Sequence, residues 1–502
     1  MKTHMNDIPI FPFVDVFAGA GGLGEGFLSF RQDGQARFSA AVSVEKEKVP
    51  CDTLVLRHFF HLFPEGHAPA DYYTYVSGKM TKEELFSHFP DKAEAARHSV
   101  LCWTMEDRTQ KGLDRELRAR LKDAKRWALI GGPPCQAYSI AGRFRRKRDP
   151  DFDSDPRHTL YKQYIHILEG FTPPVFVMEN VMGLLSATLS GRFTLELIIR
   201  DLLHAGPGYH IYSLSSGEEV SEGSDFRQLV ISAEKYGVPQ IRKRLFILGI
   251  RKDLGLRPLT LSPCRSVTTG EAIGDLSIVR SGITKTIDTL QNWLAAIESI
   301  RNNLHGTPDN VRRRLLSRLD QLPSFWEQEH ACGHSSSATS FADQMKDPNL
   351  NDFPQHLPRK NMPSDLRRYF YAAVYGEITG RSPHLQDFPR NLLPDHKNIR
   401  ENPGSAVFND RFRVQLRDKP SSTVTAHIRK DGKNYIHYDP LQCRSLTVRE
   451  AARLQSFPDN YFLEGNRTEQ YQQIGNAVPP LLARKIAAIV ADILDRMKWP
   501  TS

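Results

Sequence analysis

Short apolar segments without polar alternation recur along the first half of the chain, separated by polar or helical stretches. These segments span residues 12–17, 38–44, 128–130, 174–178, 228–231 and 244–250. Continuous apolar runs of this kind are typical of strands buried on both faces, as in the parallel sheets of α/β proteins. The pattern therefore predicts a parallel α/β sheet.

Composition narrows the class of protein and its partners. A chain of 502 residues is long enough for two or three domains around a large core. Its six scattered cysteines, with no Cys-x-x-Cys pair, predict a reducing compartment and no disulfide framework. No apolar stretch could cross a bilayer, and the first residues lack a secretory signal, so we expect a cytoplasmic protein. The net charge of +9 favours a polyanionic partner.

Regular patterns in the second half suggest an inserted domain. Apolar residues at helical spacing predict a helical hairpin over 287–322, and polar, proline-rich stretches follow it. A capping box at Thr447 and Glu450 predicts a helix that runs to about Ser456, and residues 480–497 read as an amphipathic helix. We expect one α/β domain built from 1–250 and 441–502, interrupted by a second domain at 251–440.

A glycine-rich turn follows the first predicted strand. Gly19, Gly21 and Gly24 satisfy the G-x-G-x-x-G pattern, which lets a nucleotide-like ligand approach the turn and a helix N-terminus. Glu45 ends the next strand, where an acid can accept hydrogen bonds from ribose hydroxyls, and Phe17 is placed to stack on an adenine. A nicotinamide or flavin ligand, or a purely structural turn, would suit the same glycines.

A cysteine lies just past the strand at 128–130. In Gly131-Gly132-Pro133-Pro134-Cys135-Gln136, prolines restrict the backbone before Cys135. A loop at the carboxyl end of a sheet is where folds present nucleophiles, although an ordinary loop cysteine has the same pattern. Glu179 ends the next strand and should emerge at the same edge, as a proton donor and acceptor or as a surface acid.

Basic residues cluster at two places. Alternation along the strand near 244 puts Gln240, Arg242 and Arg244 on one side, where they could bind a phosphate or a base carbonyl. The basic run at 143–148 suits a loop that closes over DNA, or a solvated loop. His330, Cys332 and His334 lack a second ligand pair at zinc spacing, so we predict no metal site.

Seven motifs, in order, carry a resemblance to a known family. They are DVFAGAGG from Asp15, PPCQAYS from Pro133, DPR from Asp155, ENV from Glu179, YGVPQIRKR from Tyr236, RSLTVREAARLQ from Arg444 and QIGNAVP from Gln473. This set resembles the DNA cytosine carbon-5 methyltransferase family, and residues 408–439 resemble its Dcm-like branch. The resemblance implies a Rossmann-like, doubly wound sheet of the class I methyltransferases, with a mixed target recognition domain inserted at 251–440.

The resemblance also implies an activity. A methyl group would pass from S-adenosyl-L-methionine to carbon 5 of a cytosine flipped out of a specific DNA sequence, in a restriction-modification or phage-defence system. The Cys135 thiolate would add to carbon 6, and Glu179 would bind the exocyclic amine and ring nitrogen 3. Arg244, and with it Arg242, would hold the carbonyl at carbon 2. Arg449 is expected to brace its helix rather than touch substrate.

The same resemblance assigns the cofactor pocket. Its residues would be Phe17, Gly19, Gly21, Gly22, Glu45, Asn476 and Val478. Family members carry an aspartate before the cysteine loop that contacts the adenine amine. The counterpart expected here, Gly78-Lys79-Met80-Thr81, lacks it.

Three other functions remain open on these residues: an RNA cytosine methyltransferase, a catalytically silent DNA-binding regulator, and a nicotinamide oxidoreductase. The long insert favours reading a duplex sequence, and the Pro-Pro-Cys-Gln loop has no role in an oxidoreductase. The expected partners are double-stranded DNA and cognate restriction or defence proteins, with no membrane. We expect a monomer on DNA, associated with the nucleoid.

Overall fold

The computed structural model describes residues 8–134, 160–189, 192–327, 339–395, 399 and 411–498. Among these residues, nine strands form one sheet: β1 (Phe11–Val16), β2 (Phe38–Glu45), β3 (Val100–Cys102), β4 (Ala128–Gly131), β5 (Val175–Val181), β6 (Tyr209–Tyr212), β7 (Glu219–Val220), β8 (Val230–Ser232) and β9 (Lys243–Arg251). Short strand pairs lie apart from it, at Arg31–Gln32 with Gln35–Ala36, Thr188–Leu189 with Arg192–Phe193, and Gly282–Ile283 with Lys360–Asn361.

The described helices fall into four groups along the chain. Before β4 lie α1 (Gly22–Leu28), α2 (Lys48–His61), α3 (Ala70–Val76), α4 (Lys82–His88), α5 (Pro90–His98) and α6 (Gln110–Leu121). Helices α7 (Leu160–Phe171) and α8 (Thr194–His204) flank β5, and the predicted insert holds α9 (Thr269–Ile273), α10 (Leu290–Glu298), α11 (Asp309–Glu327), α12 (Ser340–Met345) and α13 (Pro363–Thr379). The chain ends with α14 (Val448–Leu454), α15 (Arg467–Asn476) and α16 (Pro480–Arg496).

The sheet is mixed, in the order β7-β6-β9-β5-β4-β1-β2-β3, with β8 paired to β9. Strands β3, β2, β1, β4 and β5 are parallel, whereas β9 and β6 run antiparallel to their neighbours. The expectation of a parallel sheet therefore holds for the five adjacent strands from β5 to the edge strand β3. Strands β3, β6 and β7 are additional to the predicted ones, because each is only two to four residues long and lacks a conspicuous apolar run.

Alternating side chains of the central strands enter two different cores. Along β1, Phe13 packs in the core with Phe27 of α1 and Ile486 of α16, while Val14 packs with residues of α7 and α8 on the opposite face. All of these side chains are almost completely buried. Helices thus cover both faces of the sheet, which explains why its strands read as continuous apolar runs.

The predicted insert has a core of its own. Trp293 of α10, Leu315 of α11 and Phe370 of α13 are fully buried in a cluster that spans residues 283–443. The predicted helical hairpin corresponds to α10 and α11. The two ends of the insert pack on the sheet domain instead, since Leu261 and Val424 belong to the core around α1. Among the described helices, none is long and apolar enough to span a membrane.

Helix α14 joins the insert to the sheet domain through buried charges. Its predicted capping box is present: the Thr447 hydroxyl accepts from the Glu450 amide at 3.2 Å, and the Glu450 carboxylate accepts from the Thr447 amide at 2.7 Å. Arg444 also donates twice to Glu450, at 2.6 Å each. Arg449 donates only to backbone carbonyls, as a brace should.

Arg453 makes a buried contact that crosses between the two regions. Its buried guanidinium donates to both oxygens of Asp459 at 2.6 Å and to Asp275, near the start of the insert, at 2.8 Å. The side chains of all three residues are no more than 3% exposed. Removal of the arginine would leave the buried Asp459 without its ion-pair partner and Asp275 with only Lys346, 3.4 Å away, which is the costly way to break a buried ion pair.

We therefore predict that Arg453→Met lowers the free energy of unfolding by about 3–5 kcal/mol, measured by urea denaturation. The matched control is Arg227→Met, because Arg227 and its partner Asp225 lie 3.9 Å apart with side chains 84% and 71% exposed. The control should leave the denaturation midpoint unchanged. An equal effect of the two substitutions would contradict the role given to Arg453.

Candidate active site

The glycine-rich turn joins β1 to α1 at the carboxyl end of the sheet. Phe17, Gly19 and Gly21 have positive φ angles of 56°, 56° and 77°, which glycine adopts without strain. A Cβ on Gly19 would meet no atom within 4 Å. The turn thus presents an open backbone face beside Gly19, as a ligand that approaches the main chain requires. Phe17 is half-buried and packs on the core beneath.

Glu45, the last residue of β2, holds this turn in place. One carboxylate oxygen accepts from the amide of Gly19 at 2.9 Å, and the other accepts from the amides of Lys46 and Glu47, each at 2.9 Å. The side chain is only partly buried. An oxygen that accepts one backbone hydrogen bond retains acceptor capacity for a ligand hydroxyl.

The predicted glycines do not all serve the same purpose. A Cβ on Gly22 would lie 2.2 Å from the carbonyl oxygen of Val478, so that glycine makes room for protein and not for ligand. Val478 follows α15, and Asn476 at the end of that helix is exposed. The close approach at Gly22 brings the segment around Asn476 and Val478 against the start of α1.

Arg242 hydrogen-bonds to the same segment, around Asn476 and Val478, from inside the protein. Its buried guanidinium donates to the carbonyls of Val424, Gly475 and Ala477, at 2.9, 3.3 and 2.8 Å. These bonds direct the side chain into the protein. The structure therefore favours a positioning role for Arg242 over the substrate contact expected from the sequence. Gln240 is likewise fully buried and donates to the Leu454 carbonyl at 3.1 Å.

Glu179 and Arg244 form an ion pair at the same edge of the sheet. Antiparallel pairing of β9 with β5 sets Arg244 opposite Val181 and Phe246 opposite Glu179. The Nε atom of Arg244 lies 3.2 Å from Oε1 of Glu179, and the two side chains are 16% and 13% exposed. Burial raises the pKa of Glu179 above its ordinary value, and the positive charges of Arg244 and Arg242 oppose that shift.

The loop that leads to Cys135 passes this pair. A Cβ on Gly132 would lie 3.1 Å from Oε2 of Glu179, so the backbone after β4 approaches the carboxyl group closely. The side-chain amide of Asn180 donates to the carbonyl of Pro133 at 3.2 Å. Glu179, Arg244 and the start of the cysteine loop therefore meet at one point.

Several predicted features lie outside the described residues. They are Cys135, the basic run at 143–148, the motif at Asp155, and the group of His330, Cys332 and His334. Their roles stay predictions. Within the ranges that the structure does describe, no group of three or more metal-binding side chains occurs.

The segment expected as the counterpart of the adenine-contacting aspartate lies between two helices. Gly78, Lys79, Met80 and Thr81 form the turn between α3 and α4, not the end of a sheet strand. The strand beside β2 is β3, and the amide of Trp103 directly after it donates to the Glu45 carbonyl at 2.7 Å. The chain that follows β3 is therefore the neighbour of the Glu45 turn. Strand β3 is only three residues long, so the sequence pattern did not predict it.

Comparison with known proteins assigns the family. The profile of the C-5 cytosine-specific DNA methylase family matches residues 113–491. The type II methyltransferase M.Bpa9945I of Bacillus paralicheniformis is 32% identical over 506 residues, which cover 96% of this chain and 99% of that protein. The chain belongs to the C-5 cytosine-specific DNA methylase family.

Two further similarities agree with this assignment. The DNA (cytosine-5-)-methyltransferase M.ApeKI of Aeropyrum pernix is 28% identical, with 73% of this chain and 81% of that protein covered. A prophage-encoded DNA modification methyltransferase from Escherichia coli shares the fold, with a TM-score of 0.51 at 19% identity and coverage of 97% and 99%. Family, enzyme class and fold class are thus confirmed, and the family favours DNA over RNA as the substrate.

Gly22 supplies a direct test of the site's architecture. We predict that Gly22→Ala lowers the free energy of unfolding by about 1–3 kcal/mol, because the added methyl group overlaps the Val478 carbonyl. Gly170→Ala is the control, since Gly170 lies in α7 with nothing within 4 Å of its Cβ position. Thermal unfolding of both variants measures the difference. Equal midpoints would mean that the contact at Gly22 is not as close as described.

Proposed function

We propose that this enzyme methylates carbon 5 of cytosine in a specific sequence of duplex DNA, as the modification enzyme of a type II restriction-modification or phage-defence system. The observation that carries the proposal is the ion pair of Glu179 and Arg244 beside Gly132, at the same sheet edge as the turn held by Glu45. An acid and a guanidinium so placed match the edge of a cytosine: the acid suits the exocyclic amine and ring nitrogen 3, and Arg244 suits the carbonyl at carbon 2.

The turn suits S-adenosyl-L-methionine as the methyl donor. Backbone open to solvent beside Gly19 and the partly free acceptors of Glu45 fit a ligand with ribose hydroxyls. We assign Phe17, Gly19, Gly21, Glu45 and Asn476 to this pocket, with Gly22 and Val478 as the contact that forms its wall. When bound, S-adenosyl-L-methionine supplies an electrophilic methyl group on its sulfonium.

Cytosine is a weak carbon nucleophile, so the protein has to activate it. We assign this step to the Cys135 thiolate, which adds to carbon 6 and makes carbon 5 nucleophilic. Glu179 remains protonated to a higher pH than an ordinary glutamate because it is buried. It can therefore share a proton with ring nitrogen 3 as negative charge develops there, while Arg244 stabilises the carbonyl oxygen.

The remaining assignments follow from a reaction on duplex DNA. The target base must leave the DNA helix, at a cost of about a few kcal/mol. We propose that the basic run at 143–148 contacts phosphates and so favours the DNA with its target base flipped out. The insert at 251–440 would read the sequence. We further propose that the enzyme acts as a monomer in the cytoplasm, associated with the nucleoid, and that its cognate partners are restriction or defence proteins.

The first prediction concerns the nucleophile. Cys135→Ala should abolish methyl transfer to duplex DNA, while binding of S-adenosylhomocysteine persists. In the wild-type enzyme, 5-fluorocytosine in the recognition sequence should give a protein–DNA adduct that survives SDS, because fluorine at carbon 5 cannot leave as a proton does.

The control for this experiment is Cys264→Ala, which removes an exposed thiol outside the proposed site and should leave both methylation and adduct formation intact. Methyl transfer by the Cys135→Ala variant, or an active enzyme that forms no adduct with 5-fluorocytosine, would contradict thiolate addition.

The second prediction concerns the protonation of Glu179. Because burial raises its pKa, the protonated form is present below that pKa and lost as the pH rises through it. We expect kcat to fall on the alkaline side for this reason. Glu179→Gln, which cannot transfer a proton, should lower kcat by about 10²–10⁴-fold and remove this alkaline limb.

Single-turnover methylation across the pH range measures the effect, with Glu169→Gln as the control because Glu169 is an exposed residue of α7. A Glu179→Gln enzyme that retains full activity would rule out the acid role.

A further inference from the structure

Two cysteines, 51 residues apart in the sequence, meet beside the Glu45 turn. Cys102 is the last residue of β3, and the pairing of β2 with β3 sets it opposite Glu45. Cys51 lies in the first turn of α2, which begins three residues after β2 ends. The short link between β2 and α2 therefore brings Cys51 back towards the end of β3.

Both thiols rest on the same short piece of backbone. The Cys51 thiol donates to the Glu45 carbonyl at 3.3 Å, and the Cys102 thiol donates to the Lys46 carbonyl at 3.6 Å. Adjacent carbonyls thus hold both sulfur atoms at the same short stretch of backbone, and both thiols are free.

The two thiols differ in their exposure. Cys102 is exposed, whereas Cys51 is 3% exposed and packs in a small apolar cluster with Ala18 of the glycine-rich turn. Burial raises the pKa of the Cys51 thiol above its ordinary value. An external reagent therefore reacts with Cys102 first, and Cys51, the less acidic thiol, reacts second, with the mixed disulfide that forms on Cys102.

We propose that Cys51 and Cys102 form a redox modification site that controls the affinity of the enzyme for its methyl donor. A small disulfide such as glutathione disulfide is the oxidant. The Cys102 thiolate attacks one of its sulfurs and releases one glutathione thiolate. Cys51 then loses its proton and attacks the sulfur of Cys102, which releases the second glutathione. One disulfide forms in the protein, one is reduced, and the two thiol protons end on the two glutathiones.

The cross-link acts on the donor site because of what lies between the two sulfurs. A disulfide requires a sulfur–sulfur distance of about 2.0 Å, so both thiols must leave their carbonyl partners and close over the backbone of Glu45 and Lys46. The Glu45 carboxylate is the group that holds Gly19. Movement of this segment disturbs the backbone face and the acceptors assigned to the donor.

The inference rests on the proposed function, and its test uses the full-length Cys135→Ser protein so that the proposed nucleophile cannot react. The protein is incubated with glutathione disulfide, and non-reducing peptide mapping locates the cross-link. Binding of S-adenosylhomocysteine is measured by calorimetry before oxidation, after it, and after reduction with dithiothreitol. We expect a Cys51–Cys102 peptide and at least a tenfold loss of affinity, which dithiothreitol restores.

Two variants on this background complete the design. Cys102→Ser should bind S-adenosylhomocysteine normally and lose the response to oxidant, whereas Cys264→Ser, which removes another exposed thiol, should keep the response. Absence of the cross-linked peptide, or a cross-link that leaves the affinity unchanged, would overturn the proposal. Peptide mapping does not depend on donor binding, so a reduced protein that fails to bind S-adenosylhomocysteine contradicts the proposed function and not the thiol chemistry.

Discussion

The antiparallel pairing of β9 with β5 is the constraint on which the site depends. Parallel strands alone would bring Glu179 and the loop after β4 to one edge of the sheet, but not the guanidinium of Arg244. Because β9 enters the sheet in the opposite direction, its first residues lie at that same edge, and Arg244 meets Glu179 at 3.2 Å. Arg242, the residue directly before β9, extends into the interior and donates to the segment that ends α15.

This arrangement couples the two halves of the site. Arg242 donates to carbonyls of the segment that holds Asn476 and Val478, and Val478 in turn lies against Gly22 at the start of α1. A displacement of β9 would therefore alter both the pair at Glu179 and the wall of the pocket proposed for the methyl donor. Buried charges around α14 add a further contact between these parts of the protein. Arg453 of this helix donates to Asp275, near the start of the insert. The edge with Glu179 and Arg244, the glycine-rich turn and the start of the insert are thus joined by buried contacts.

Much of the site could be predicted from the sequence because its residues follow strands with clear patterns. Glu45 and Glu179 lie at the ends of buried runs, and alternation along β9 put Arg242 and Arg244 on one side. Alternation does not show which contacts a side chain makes at the end of a strand. The structure was therefore needed to distinguish the contacts of these two arginines. Gly22 likewise reads as part of a ligand-binding motif, yet its contact is with the backbone of Val478, a residue 456 positions away in the chain.

Other features left no local signal. Strand β3 is three residues long, and only its pairing with β2 identifies it. For the same reason Cys51 and Cys102 read as scattered cysteines, although the sheet brings them together. If the insert reads the DNA sequence as proposed, recognition depends on which of its side chains meet the base edges, and the pattern along the chain does not encode that geometry.

Bisulfite sequencing of DNA from cells that express the protein tests the central claim most directly, because it identifies each 5-methylcytosine at single-nucleotide resolution. If the edge formed by Glu179 and Arg244 serves cytosine methylation under the control of the insert, protected cytosines will occur at one position of one short sequence, throughout the genome. A genome with no protected cytosines, or with protected cytosines that share no sequence, would contradict the account.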